Sequence, residues 1–159
     1  MDPKKSIAIS ACLLGHKVRY DGAHQENKII KRLIECLNVI PVCPEVEIGL
    51  GVPREKIELH QQGVKIHLLT SHKPVIDLTE QMVVYAQIFL KNHKISGMVL
   101  KDKSPSCGVG NCKQFDEAGG GQRNGTGIFA ATIMCLKPDL PMLQSNLVMQ
   151  ASDLDDFMQ

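Results

Sequence analysis

Tryptophan is absent from the chain, and the aromatics together supply only 4% of the residues. That scarcity removes the platform on which single-stranded nucleic acids stack, so any base the chain handles is expected to be taken singly. No apolar run approaches the roughly 18 residues that span a bilayer, and the opening Met1-Asp2-Pro3-Lys4-Lys5 leads into a run too short for a secretory signal. A cytoplasmic protein with no membrane partner is expected. Charge of one sign is missing too. Eighteen Lys and Arg stand against 17 Asp and Glu, a formal charge of +1, which gives no chain-wide pull towards nucleic acid or anionic lipid. Nor is there a C-x-x-C pair, the spacing of zinc ribbons and of dithiol redox motifs.

What is present is an ordinary globular composition, 43% hydrophobic and 22% charged over 159 residues. It suffices for one core, so residues 1–159 are expected to form a single domain. The runs Ile7–Leu13, Val39–Cys43, Gly97–Lys101 and Pro141–Leu143 read as short buried strands. Pro41 argues against a central place for the second of them. Helical periodicity marks about Gln25–Leu37, Asp77–His93 with Asp77 or Thr79 as N-cap, Ile128–Leu136, and a terminal helix capped by Ser152. Residues Ile57–Leu69 alternate around Gln61-Gln62-Gly63 as a hairpin, expected to be a side feature. Gly119–Gly127 is a glycine-rich stretch, and Gly119–Gly121 within it reads as a flexible loop, because no Gly-Lys-Ser/Thr ending makes it a phosphate loop. Strands alternating with helices indicate an α/β three-layer sandwich with a mainly parallel, Rossmann-like sheet.

Six cysteines occur, and in a reducing compartment metal or catalytic use gains weight over disulfides. Cys12, Cys43 and Cys107 each fall at or just past the carboxyl end of a strand, and in open parallel sheets those ends share the edge where ligand crevices form. Three cysteines remote in sequence are thereby expected to converge on a soft metal site suited to zinc or to iron and sulfur. Cys112, five residues beyond Cys107, is the natural fourth ligand of a closed zinc or iron-sulfur module without catalytic activity. Cys36 and Cys135 lie in helical apolar patterns, where small buried cysteines are common. His60, His67 and His72, on or after the hairpin, read as surface residues. Arg19 reads as part of the Tyr20-Asp21-Gly22 turn, with contact to a substrate carbonyl or phosphate as the alternative, and Arg54 as a loop pin held by an ion pair.

Three blocks in order, Ser10-Ala-Cys-Leu-Leu-Gly15 with Val18-Arg-Tyr-Asp-Gly22, Cys43-Pro-Glu-Val-Glu-Ile-Gly-Leu-Gly-Val-Pro-Arg54, and Lys101-Asp-Lys-Ser-Pro-Ser-Cys-Gly108, resemble the thiouracil desulfidase (TudS) family, formerly a domain of unknown function. Gly125-Thr-Gly-Ile-Phe-Ala130 and Leu140-Pro141 extend the likeness over almost the whole chain. Pro44–Arg54 is similar to the desulfidase domain of two-domain proteins that remove sulfur from tRNA thiouridine. The resemblance implies a [4Fe-4S] cluster held by Cys12, Cys43 and Cys107, with one iron lacking a protein ligand and open to a soft thiocarbonyl sulfur. It further implies hydrolytic removal of that sulfur from thiouracil or thiouridine, giving uracil or uridine and sulfide with no net electron transfer. Glu45 then serves as general base or proton shuttle from a loop beside the cluster, and Ser104 as the active-site serine. A small thiolated pyrimidine is the expected partner in preference to tRNA, because phosphate neutralisation calls for a concentrated cationic face. Two departures stand out: Ala23 replaces a frequent second glycine after Gly22, and Cys112 is an extra thiol near the third block.

Overall fold

The computed structural model describes residues 4–158. The chain begins with β1 (Ser6–Ser10), a 3-10 turn (Ala11–Leu14), α1 (Lys28–Lys31), α2 (Leu33–Cys36), β2 (Asn38–Val42) and α3 (Pro44–Glu47). It continues through β3 (Ile57–Gln62), β4 (Lys65–Thr70), α4 (Thr79–Asn92), β5 (Gly97–Leu100), β6 (Cys112–Phe115) and β7 (Gly121–Gly125). It closes with α5 (Ile128–Leu136), β8 (Met142–Gln144), two further 3-10 turns and α6 (Asp155–Met158).

Four strands form an all-parallel sheet in the order β2-β1-β5-β8. Their side chains alternate between two cores, as the period of two requires. Ile7 and Ile9 of β1 and Val99 of β5 join Leu13, Ile30 and Leu33 on one face, whereas Ala8, Met98 and Leu100 join Met82, Phe89, Phe129 and Ile133 of α4 and α5 on the other. Burial on both faces is why these strands read as continuous apolar runs. Pro41 sits in β2, an edge strand of this sheet, where a missing N–H costs no interior ladder bond.

A second four-stranded sheet, β4-β3-β6-β7, is mixed. The expected hairpin supplies β3 and β4, paired from Ile57↔Thr70 to Gln62↔Lys65. It is half of a sheet rather than a side feature, because β6 pairs with β3 in parallel. The glycine-rich stretch, whose start reads as a loop, contains β7, paired antiparallel with β6. Its polar sequence, Gly-Gln-Arg-Asn-Gly, carries no apolar alternation, so strand pairing is decided there by backbone hydrogen bonds.

Other boundaries also differ from expectation. The run Ile7–Leu13 leaves the sheet at Ser10, and its last three residues wind into the 3-10 turn. The carbonyls of Cys12 and Leu13 accept from the N–H groups of Gln25 and Asn27 instead of a strand neighbour. The helix expected over Gln25–Leu37 is two short helices. Asn27 caps the first, its Oδ1 accepting from Ile29 and Ile30, and the join at Arg32 runs through i→i−3 bonds. The α4 N-cap is Leu78, while Asp77 Oδ1 accepts from the Thr79 N–H at 2.9 Å. Gln150, not Ser152, caps the terminal turn, in a capping box with Asp153. Cys36 and Cys135 are exposed, because α2 buries only Leu33 and α5 turns Ile128, Phe129, Ala130 and Ile133 inward.

The start of α5 rests on the loop after β5. The N–H groups of Ile128 and Ala130 donate to the carbonyls of Pro105 and Ser106, and Gly127 donates to Gly108 at 2.7 Å. Donors that a helix leaves unpaired in its first turn are thus satisfied by loop carbonyls. The approach is so close that a Cβ at Gly127 would stand 2.7 Å from the Cys107 nitrogen and overlap the Ser106 carbonyl.

Candidate active site

In the order β2-β1-β5-β8, the chain passes from β1 outward to β2 and then returns to the other side of β1 as β5. The switch point of the sheet therefore lies between β1 and β5, where open α/β sheets leave a crevice beyond the strand ends. A cavity of about 300 Å³ occupies that edge. Cys12 follows β1, Cys43 follows β2 and Cys107 follows β5, and all three line the cavity with Glu45 and Ser104.

Each thiol is held by its own loop. The Cys12 carbonyl accepts from Gln25 at 2.9 Å, pinning the 3-10 turn. Cys43 precedes α3, with its Sγ 3.7 Å from the Val18 carbonyl. Cys107 is fixed most firmly. Ser104 Oγ accepts from the N–H groups of Ser106 and Cys107 at 3.1 and 3.0 Å, and Gln144 Nε2 donates to the Cys107 carbonyl at 3.2 Å. Gln144 Oε1 in turn accepts from Val109 and Asn111. No side chain fits at Gly108, where a Cβ would meet the Asn111 Oδ1 at 2.8 Å.

Burial pushes the Cys12 thiol up to about 11, with Cys43 adding to the rise and Lys101 and Arg19 opposing it. Burial likewise raises Cys43, against the pull of backbone hydrogen bonds and Arg54. It raises Cys107 further, with Cys12, Glu45 and Cys43 adding and a Ser10 hydrogen bond opposing. The thiols are thus within electrostatic reach of one another, and burial favours their protonated form. Three soft donors around one cavity match the chemistry of a thiophilic metal group. Among the described residues, no three Cys, His, Asp or Glu side chains gather tightly enough to grip a single ion.

Glu45 stands in the first turn of α3, after Pro44 at the first helical position, rather than in a loop as expected. Arg54 Nε donates to its Oε1 at 3.0 Å and Ser106 Oγ donates to its Oε2 at 3.1 Å. Both Arg54 and Glu45 are largely buried, at 5% and 14% side-chain exposure, so the carboxylate is oriented from two sides. Arg54 also donates to the Gly51 carbonyl, the loop-pinning role expected of it.

A description of the 2-thiouracil desulfurase family matches residues 7–145, most of the chain. The chain belongs to the 2-thiouracil desulfurase family. It is 30% identical over 111 residues to the uncharacterized protein YbbK of Bacillus subtilis (strain 168), an alignment spanning 65% of this chain and 74% of that protein. The solved structure of TudS, a [4Fe-4S]-dependent thiouracil desulfidase, superposes with a TM-score of 0.69 at 26% identity, covering 97% of this chain and 99% of that one. The α/β fold read from the sequence is the fold of this family member.

Within the family frame, Cys112 occupies the first position of β6, buried in the apolar core at 3% exposure. Its Sγ lies 3.5 Å from the Lys113 carbonyl, and it is not among the cavity's lining residues. The candidate fourth ligand of a closed module therefore lies outside the cavity that the other three line, on a strand of the second sheet. The histidines are also remote from the cavity. His67 Nδ1 meets Asp77 Oδ2 at 2.7 Å, His72 is exposed, and His60 is half-buried, stacked on Phe115 at 5.0 Å. Arg19 does reach the cavity wall, 3.8 Å from Asp21.

Several site residues were not singled out from the sequence. Ser106 is fully buried and bonded to Glu45, and Gln144 braces the Cys107 loop from the end of β8. Lys101 and Asp102 line the cavity just past β5. Burial pushes the Asp102 carboxyl up, but the Ser145 hydroxyl and the Lys101 ammonium outweigh it and hold the group below the usual carboxylate range. Residues 101–108 stand in the third motif block, which is the signal that marks the segment, although it does not separate one member from another.

Proposed function

We propose that this chain is a [4Fe-4S]-dependent desulfidase that hydrolyses the thiocarbonyl of thiouracil or thiouridine, giving uracil or uridine and sulfide. The observation that carries the reading is the convergence of Cys12, Cys43 and Cys107 on one cavity beside an oriented carboxylate. These three cysteines would hold the cluster, and when bound it supplies a Lewis acid with affinity for thiocarbonyl sulfur.

The remaining chemistry belongs to the chain. Hydrolysis replaces the exocyclic sulfur by the oxygen of water, and a water aimed at the ring carbon must give up its protons. Glu45 is assigned that proton at a carboxylate oxygen, the work for which positioned carboxylates serve as general bases. Arg54 and Ser106 fix the carboxylate so that its direction is set before substrate arrives. Ser104 accepts two backbone hydrogen bonds, which leaves its own hydroxyl proton free to donate to substrate or water. The buried walls around Cys107 limit competing water. A cavity of about 300 Å³ lies at the small end of ligand pockets, roughly 300–1,000 Å³, which favours a free base or nucleoside over tRNA.

Anaerobic purification and cluster reconstitution test this, followed by iron, zinc and sulfide analysis and timed turnover of 2-thiouracil, 4-thiouracil and 4-thiouridine. Four irons per chain with sulfide and the oxo-pyrimidine as products is the expected result. Stoichiometric zinc without turnover would replace the reading with the closed module. In the reconstituted enzyme, Glu45→Gln is expected to keep its iron while kcat falls about 10²–10⁴-fold, the usual worth of a general base.

A further inference from the structure

Two carboxylates line the cavity, Glu45 and Asp102. Each oxygen of Glu45 already accepts one hydrogen bond, from Arg54 and from Ser106. Asp102 differs. Its Oδ1 accepts from Ser145 Oγ at 2.6 Å and from Lys101 Nζ at 3.1 Å, while no hydrogen bond among the described residues reaches Oδ2. The side chain is only 13% exposed. Ser145 also accepts from the Asp102 backbone N–H at 3.0 Å, so one residue holds both the carboxylate and the backbone of Asp102. An acceptor locked in this way, with one oxygen unspent in the wall of a small cavity, is built to receive a donor from whatever enters.

We propose that Asp102 is the specificity-determining residue that accepts the ring N3–H of the pyrimidine, restricting the site to thiolated uracils over thiolated cytosines. The assignment rests on the desulfidase reading above. In a uracil ring N3 carries a hydrogen between C2 and C4, and it keeps that hydrogen in base and nucleoside alike. In a cytosine ring N3 is an acceptor. 2-Thiocytosine offers the same thiocarbonyl at C2 as 2-thiouracil, yet it turns a lone pair towards the carboxylate, leaving two acceptors face to face. A site that hydrogen-bonds a substrate N–H discriminates strongly against an analogue lacking it, because its own buried group is then unpaired.

The geometry also fixes what Asp102→Asn does. Ser145 and Lys101 both donate to the rear oxygen, so the amide oxygen of Asn takes that side and its NH2 turns to the cavity. The substitution converts an acceptor into a donor, which suits N3 of cytosine.

The test uses the reconstituted full chain with 2-thiouracil, its N1-methyl and N3-methyl derivatives and 2-thiocytosine, together with calorimetric binding of uracil and cytosine. For the natural chain, kcat/KM is expected to fall about 100-fold or more for N3-methyl-2-thiouracil and for 2-thiocytosine, and by less than about 5-fold for the N1-methyl compound. In Asp102→Asn the ratio of 2-thiouracil to 2-thiocytosine is expected to drop about 100-fold, chiefly through KM, with iron and sulfide content unchanged and cytosine binding gained at the expense of uracil. Ser145→Ala keeps the carboxylate and removes its clamp, so a drop of only about 3–10-fold is expected. Equal turnover of 2-thiouracil and its N3-methyl derivative by the natural chain would overturn the assignment without touching the desulfidase reading. So would an unchanged ratio in Asp102→Asn. A fully loaded natural protein that turns over none of the four compounds, nor 4-thiouracil or 4-thiouridine, would sink the desulfidase reading, and this assignment with it.

Discussion

The two sheets have four strands each and share one core, yet only the parallel sheet reaches the cavity. Its strand ends deliver Cys12, Cys43 and Cys107, because parallel strands necessarily place all their carboxyl ends on one edge. The mixed sheet runs its strands both ways and contributes none of the lining residues. It holds a cysteine of its own, Cys112, buried as deeply as Cys107. Burial and residue type are therefore the same in the two regions, and position relative to strand polarity separates a lining thiol from a packing one.

The sharpest way to break this comparison is to exchange the roles of the two cysteines. On the proposed ligation by Cys12, Cys43 and Cys107, Cys107→Ala is expected to abolish iron retention and to lower turnover more than about 100-fold. Cys112→Ala should retain iron and turnover within about 2-fold and cost only about 1 kcal/mol of stability, as a small buried side chain does. Iron per chain, visible absorbance and denaturant midpoints measured on both variants check the pair. Loss of metal in Cys112→Ala would put the mixed sheet back into the site.

A second way perturbs the packing alone. Leu59 of β3 is fully buried, and Leu59→Ala is expected to destabilise the fold by about 2–5 kcal/mol. Below its melting transition the loaded variant should turn over at the natural rate, as urea titration and kinetics on one preparation would reveal. The mildest change lies at the rim of the parallel sheet's other core. Asn27→Ala removes the cap of α1 and should cost about 1 kcal/mol, with the cavity and its iron unaffected, a difference that thermal melting resolves.

The same contrast explains what the sequence disclosed. Strands buried on both faces, such as Ile7-Ala8-Ile9 and Met98-Val99-Leu100, announce themselves by continuous hydrophobicity, and their ends point to the cysteines. The hairpin β3–β4 is legible from alternation around Gly63. The partnership of β6 with β7 is not, because Gly121–Gly125 offers no apolar pattern and its pairing is a matter of backbone geometry. Helix breaks of the kind at Arg32 escape periodicity as well, since Ile30 and Leu33 keep helical spacing across the join. Within the site, Cys12, Cys43 and Cys107 stood out by residue type and by their places after strands, whereas Glu45 and Ser104 were marked only by the family resemblance. Ser106, Gln144 and Asp102 act by meeting partners distant in the chain, Glu45, Cys107 and Ser145 respectively, and no local pattern encodes such meetings.

The loop that carries Cys107 is also the cap of α5, since Pro105 and Ser106 receive the N–H groups of Ile128 and Ala130. Whatever steadies Cys107 must therefore steady the opening turn of a helix more than twenty residues downstream. Filling the site should slow amide hydrogen exchange at Ile128 and Ala130, because their release requires the loop to let go. Cofactor acquisition would then be legible as solvent protection of α5, so a deuterium-uptake map could separate filled from empty molecules in a mixed preparation without any spectroscopic view of the metal.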